Sequence, residues 1–201
     1  MILPILPLIP HSPATSHPSS IPPPTVHAYL FTNVLNAADL LLQLKTGSST
    51  TQSTPPTHSN IPLPTATYLD ASRIFSLFQL TLAVTKAHLN QSTATMRTHS
   101  LQTEILLALS PGISIAHAFK HFGINKLTTN LLVVCNDPDL TARSILTSAI
   151  QGTLAGHQFD LDSVRDLHAI SKIYSVPKHM LDQLAEVETI IVGTMALQGN
   201  A

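Results

Sequence analysis

The sequence predicts an α+β domain, a small central sheet, mainly antiparallel or mixed, packed with helices. Three observations carry that reading. Residues 26–34 and 130–136 have the length and the β-branched, aromatic and aliphatic composition of strands. Residues 71–90 and 178–197 repeat apolar side chains at helical spacing. Strands and helices alternate without the regular strand–helix–strand rhythm that builds a parallel sheet.

Eight of the 15 prolines fall within residues 1–24. Proline removes a backbone donor and blocks both helix and ladder pairing, so residues 1–25 are expected to form a disordered tail and the domain to span 26–197. The opening "MILPILPLIP" is apolar but broken by Pro4, Pro7 and Pro10, and the first basic residue is Lys45. That pattern fits neither a secretory signal nor an Arg-rich transit peptide. No run reaches the roughly 18 uncharged apolar residues of a membrane span, and a protein of the nucleus and cytoplasm is expected.

"VHAYLFTNV" (26–34) reads as the first strand, and "AADLLLQLK" (37–45) as a helix capped by Asn36 and stopped at Gly47. Residues 46–64 are rich in hydroxyl side chains with little to bury, so they read as a flexible insertion. "TATYLD" (65–70) is a second strand. Asp70 is expected to cap a long helix over 71–90, with Ile74, Leu77, Phe78, Thr81 and Val84 on its buried face and Phe75, Leu82 and Leu89 widening it.

A helix over 100–110 turns Leu101, Ile105 and Leu109 inward and ends at Pro111-Gly112. Ser114 caps the next, over 115–122. Gly123 then suits a left-handed C-terminal position, with Ile124 folding back towards Phe119. "NLLVVCN" (130–136) is apolar throughout, which marks a strand buried on both faces. Asp137-Pro138 starts a helix with Ala142, Ile145, Leu146 and Ala149 inward. A short strand in "TLAGHQF", a helix at about 163–171, "KIYSV" (172–176) and a last helix over 178–197 complete the chain. That last helix turns Met180, Leu181, Leu184, Val187, Ile191 and Met195 to the core.

Composition narrows the function. Charged residues are 10% of the 201, against an ordinary share of about a quarter, and the formal net charge is −1. An autonomous nucleic-acid-binding domain is usually strongly basic. Tryptophan is absent and aromatics are 4%, so base-stacking platforms are few. The single cysteine, Cys135, lies in an apolar run and reads as a core side chain.

No phosphate-binding glycine loop, dinucleotide fingerprint or nucleophile elbow occurs. His117 and His121 stand at i, i+4, the spacing of a zinc-hydrolase helix, but Ala118 occupies the place of the general-base glutamate and no third ligand stands at fixed spacing. Asp160, Asp162 and Asp166 read as a solvated helix start. Lys120 and Lys126 flank Gly123 and could form a small positive patch; ordinary solubilising surface is an equal reading. Phe119, Phe122 and Ile124, among His and Lys, have the mixture of a protein interface, although Phe122 is equally compatible with a core position.

One block carries a resemblance. "MRTHSLQTEILLALSPGISIAHAFKHFGI" (96–124), followed by "LLVV", resembles the PRPK-binding protein (TPRKB) family, the small kinase-binding subunit of the EKC/KEOPS complex. "AYLFTNV", "YLDASRI" and "KIYSV" resemble the family's first strand, strand-to-helix junction and "KIY" element. The resemblance implies a non-catalytic subunit that binds the complex's atypical kinase/ATPase, and other subunits through it. The complex makes threonylcarbamoyladenosine on tRNA. The resemblance also implies no cofactor and no membrane. By position it assigns partner binding to Ile115, Lys120, His121, Phe122 and Ile124, with Gly123 supporting their geometry, and it leaves Arg97, Lys120 and Lys126 as candidate contacts to tRNA. The family's asparagine-rich "PNNNI" is "PGISI" here, so side-chain amides are missing at 112–114. A small His-dependent metal hydrolase and a stand-alone RNA-binding module are the alternatives.

Overall fold

The computed structural model describes residues 2–3, 26–46, 61–135, 141–156 and 160–198. Five strands, β1 (Ile2–Leu3), β2 (Val26–Thr32), β3 (Ala66–Asp70), β4 (Leu131–Cys135) and β5 (Thr153–Leu154), form one antiparallel sheet in the order β1-β2-β4-β3, with β5 also on β2. The helices are α1 (Ala37–Thr46), α2 (Leu77–Ser92), α3 (Leu101–Leu109), α4 (Ile115–Phe122), α5 (Thr141–Ala149), α6 (Leu167–Tyr174) and α7 (Leu184–Leu197). The α+β class and the central sheet agree with the sequence reading.

β4 is the centre. All five of its residues are buried, and the two-residue period of a strand divides them between two cores. Leu132 and Val134 join Val26, Ala28, Leu30 and Leu69 beneath α2, α3, α4, α6 and α7. Leu131, Val133 and Cys135 join Tyr29, Phe31 and Tyr68 beneath α1 and α5. The sheet is therefore covered on both faces, and each fully buried leucine of β4 contributes roughly 2 kcal/mol of apolar burial.

Several local expectations are corrected. Asp70 does not cap the long helix. Its Oδ1 accepts from the Ser72 N–H at 3.1 Å and the Ser72 hydroxyl at 2.7 Å, capping only a 3-10 turn, Ala71–Arg73. Its Oδ2 accepts from Asn125 Nδ2 at 3.1 Å and Thr128 Oγ1 at 3.3 Å, tying down the turn before β4. The helix proper, α2, starts after Ser76, whose Oγ accepts from the Gln79 N–H at 3.1 Å. The late start leaves Phe78 52% exposed and turns Leu80, Ala83, Val84 and Ala87 inward, where the two small side chains let α3 pack close.

Asn36 likewise clamps rather than caps. Its amide donates to the Ala149 carbonyl at 2.8 Å and accepts from the Gln151 N–H at 3.0 Å, fastening the end of α5. α6 starts after Asp166, whose carboxylate accepts from the Ala169 N–H at 3.0 Å, so the "KIY" residues are its last turn. Left-handed residues instead follow α2, at Ala94, and α6, at Ser175, each with φ 55°. The expected helix over 178–197 is split into a 3-10 turn, Lys178–Met180, and α7, leaving Leu184 partly exposed. Gly47, Asp137 and Pro138, and most of the 1–25 and 46–64 segments, lie outside the described residues.

Gly123 is extended, at φ −70° and ψ 157°. Glycine is needed there for close approach: an added Cβ would stand 2.7 Å from the Phe119 carbonyl oxygen, which the Gly123 N–H reaches at 3.0 Å. The chain passes directly from α4 onto the outer edge of β3, where Gly123 bridges Leu69 and the Ile124 N–H donates to Tyr68 at 3.3 Å. Ile124, 9% exposed, belongs to the smaller core, so the expected clasp onto Phe119 does not form.

Candidate functional site

α4 is a short amphipathic helix held at both ends. Ser114 Oγ accepts from the His117 N–H at 3.4 Å at its start, and the Gly123 junction fixes its exit. Ala118 and Phe122 face the core, with the Phe122 ring 6.1 Å from that of Tyr174. Ile115 and Phe119, four residues apart, face outward together, beside Ile113 in the preceding break. Phe119 is 49% exposed and Ile113 64%. A helix surface with two large apolar side chains beside lysine and histidine has the mixed character of a docking surface.

The break before α4 is fastened from beneath. The Tyr174 hydroxyl donates to the Leu109 carbonyl and accepts from Gln79 Nε2 at 2.6 Å. Gln79 Oε1 in turn accepts from the Phe75 N–H at 2.7 Å. Gln198 Nε2 donates to the carbonyls of Leu107 at 2.6 Å and Gly112 at 2.8 Å. The Tyr174 bond satisfies the last carbonyl of α3, and Gln198 ties that helix end to Gly112 in the break. They also set where α4 begins.

The residues assigned to partner binding therefore separate. Ile115 and Lys120 are exposed and His121 is half-buried. Phe122 is fully buried, and Gly123 and Ile124 are buried too, so these three support the surface without presenting side chains on it. Phe119, interface-like in the sequence but outside the set the resemblance assigns, is on the exposed face, and Ile113 is an addition the sequence reading missed. The i, i+4 spacing groups Ile115 with Phe119 and Ala118 with Phe122, but one amphipathic helix does not say which pair faces water.

Beside α4 lies a groove of about 450 Å³, lined by Arg73, Lys120, His121, Asp166, His168 and Lys172, with Ala169 and Ile173. Arg73 Nη1 is 3.9 Å from Asp166 Oδ2. The His117 and His121 rings meet edge to face, 5.9 Å between centroids. Burial, then the positive charge of Lys120 and the neighbouring His117 and Arg73, hold the His121 imidazole below its ordinary pKa.

The proposed nucleic-acid contacts are not brought together. Arg97 lines a separate cavity of about 270 Å³ with Lys86, Asn90, Glu104 and Gln198, whereas Lys120 is in the groove by α4 and Lys126 lines neither. Near Arg97, the buried Glu104 carboxylate accepts from Asn90 Nδ2 at 2.8 Å, the N–H groups of Arg97 and Thr98 at 3.1 Å each, and Thr98 Oγ1 at 2.8 Å. Burial and the Arg97 charge lower the Lys86 pKa, Glu104 opposing. Among the described residues no group of three or more His, Cys, Asp or Glu side chains is placed to hold a metal. No described helix is long and apolar enough to cross a membrane.

Comparison with known proteins identifies a family and relatives. The family model described as "Kinase binding protein CGI-121" matches residues 31–199. An Aspergillus terreus protein named "EKC/KEOPS complex subunit cgi121" is 30% identical over 200 residues, covering 90% of this chain and 94% of that protein. Proteins of the same name from Aspergillus fumigatus and Schizosaccharomyces pombe are 28% and 27% identical, covering 90% and 89% of this chain and 92% and 95% of their own lengths.

Proposed function

We propose, since this chain belongs to the CGI-121 family of kinase-binding proteins, that it is a non-catalytic docking subunit of an EKC/KEOPS complex. In this reading it binds the complex's kinase through the outer face of α4 and supports threonylcarbamoyladenosine modification of tRNA. The observation that carries it is the exposed apolar set Ile113, Ile115 and Phe119 on an element whose opposite face is locked in the core. The surface offers contact area and charge; on the same helix the His117 and His121 rings meet edge to face, and His121 lies near Lys120 and Arg73. The protein acts by differential contact: bound to the kinase, it favours the arrangement of subunits in which the modification proceeds.

The test is direct binding of the full chain to the kinase subunit, with Phe119→Ala as the probe. About half of the Phe119 surface is free. Covering it removes roughly 100 Å² from water, worth about 2.5 kcal/mol at ~25 cal/mol per Å². The expected loss is about 60-fold in Kd, with the unfolding midpoint unchanged. Affinity kept within about threefold by an Ile115→Ala, Phe119→Ala double variant would remove α4 from the interface.

A further inference from the structure

The groove beside α4 carries more positive charge than the domain's own carboxylates neutralise. Arg73 enters from the 3-10 turn after β3, Lys120 and His121 from α4, and His168 and Lys172 from α6, where they stand four residues apart on one face. The lining contains one carboxylate, Asp166, and it is already engaged by the Ala169 N–H at 3.0 Å and by Arg73 at 3.9 Å. With histidines neutral, Arg73, Lys120 and Lys172 against Asp166 leave the lining at 3 − 1 = +2. Among the described residues neither Lys120 nor Lys172 is in an ion pair. The floor, Ala169 and Ile173, is half-buried and apolar.

Position decides between ligand classes. Lys120 and His121, which line the groove, and Ile115 and Phe119, which do not, all stand on α4, so a polypeptide wrapping that helix meets both surfaces. A nucleic-acid backbone instead needs a track of cations matching successive phosphates; of the remaining candidates, Arg97 opens onto a different cavity and Lys126 lines neither. We propose that the groove receives an aspartate- or glutamate-rich segment of the protein docked on α4, so that the interface is an apolar centre flanked on one side by acidic-to-basic pairing. This rests on the docking reading above.

Lys172→Glu tests it, because Lys172 is exposed and its reversal leaves the core untouched. Affinity for the kinase subunit is measured at about 50 mM and about 300 mM salt, beside Lys172→Arg and Phe119→Ala. The expected result is a loss of about tenfold for Lys172→Glu at the lower salt, a smaller loss at the higher, and near-native affinity for Lys172→Arg. If Lys172→Glu is silent while Phe119→Ala weakens binding, the acidic segment is overturned and the docking reading stands. If Lys172→Glu weakens binding while Phe119→Ala is silent, the groove is kept and the apolar face of α4 is given up. Silence of both overturns both. If Lys172→Glu lowers affinity for tRNA and leaves the kinase unaffected, the groove is a nucleic-acid site and the proposal fails.

Discussion

Replacing Tyr174 with phenylalanine removes a single oxygen, and the surrounding bonds set the cost. The ring keeps its contact with Phe122. The hydroxyl's two bonds, donated to the Leu109 carbonyl and accepted from Gln79 Nε2, are both lost. Gln79 is fully buried and Tyr174 nearly so, which leaves the Gln79 amide donor and the Leu109 carbonyl without their shared partner in a dry site. Two net hydrogen bonds at about 1 kcal/mol each, with the added cost of an unsatisfied buried group, give about 3 kcal/mol. For a chain of this size that lowers the unfolding midpoint by roughly 6–12 °C. Urea unfolding followed by circular dichroism measures the free-energy loss, and a thermal scan the midpoint. Amide exchange should also quicken between Ser110 and Ser114, because the Leu109 carbonyl anchors the break. A destabilisation below about 0.5 kcal/mol would refute the view that this hydroxyl holds α3, α6 and the start of α2 together.

Glu104→Gln should cost about 2–4 kcal/mol, since the carboxylate accepts from four donors and an amide nitrogen would confront some of them. Faster amide exchange at Arg97 and Thr98 locates the damage. His121 gives a pH prediction. Its folded pKa lies below the unfolded value near 6.5, so the unfolded chain binds more protons in between; its stabilising contribution is complete above about pH 6.5 and is lost as pH falls. An imidazole proton titration should place His121 below 6.5, and Lys120→Ala should raise it; an unmoved midpoint would show that the Lys120 charge does not reach the ring.

The order of elements was legible because it rests on runs of residues: the apolar "LLVVC" of β4, the Pro111-Gly112 break and the Ser114 cap are local signals. What misled were side chains that had two partners to choose from. Asp70 and Asn36 carry the chemistry of helix caps, yet each bonds to a segment distant in sequence, the 125–128 turn and the end of α5. Gly123 was read correctly as obligatory and wrongly as left-handed, because a helix end with glycine looks alike in sequence whether φ is positive or a carbonyl lies too close. At the site, Lys120 and His121 were legible in the sequence, as a patch beside Gly123 and from the family block. Arg73, His168 and Lys172 were not, since only the folded chain brings the turn after β3 against α6.

The central place of β4 has a consequence for synthesis. Both strands that flank it are made first, and they never pair with each other. A nascent chain that has not yet delivered Leu131 can pack α2, α3 and α4 on one another, but it has two bare strand edges and no wall between its future cores. Long-range closure of this kind is slow and exposed, and the growing polypeptide is therefore a natural client for chaperones until those five residues slot in.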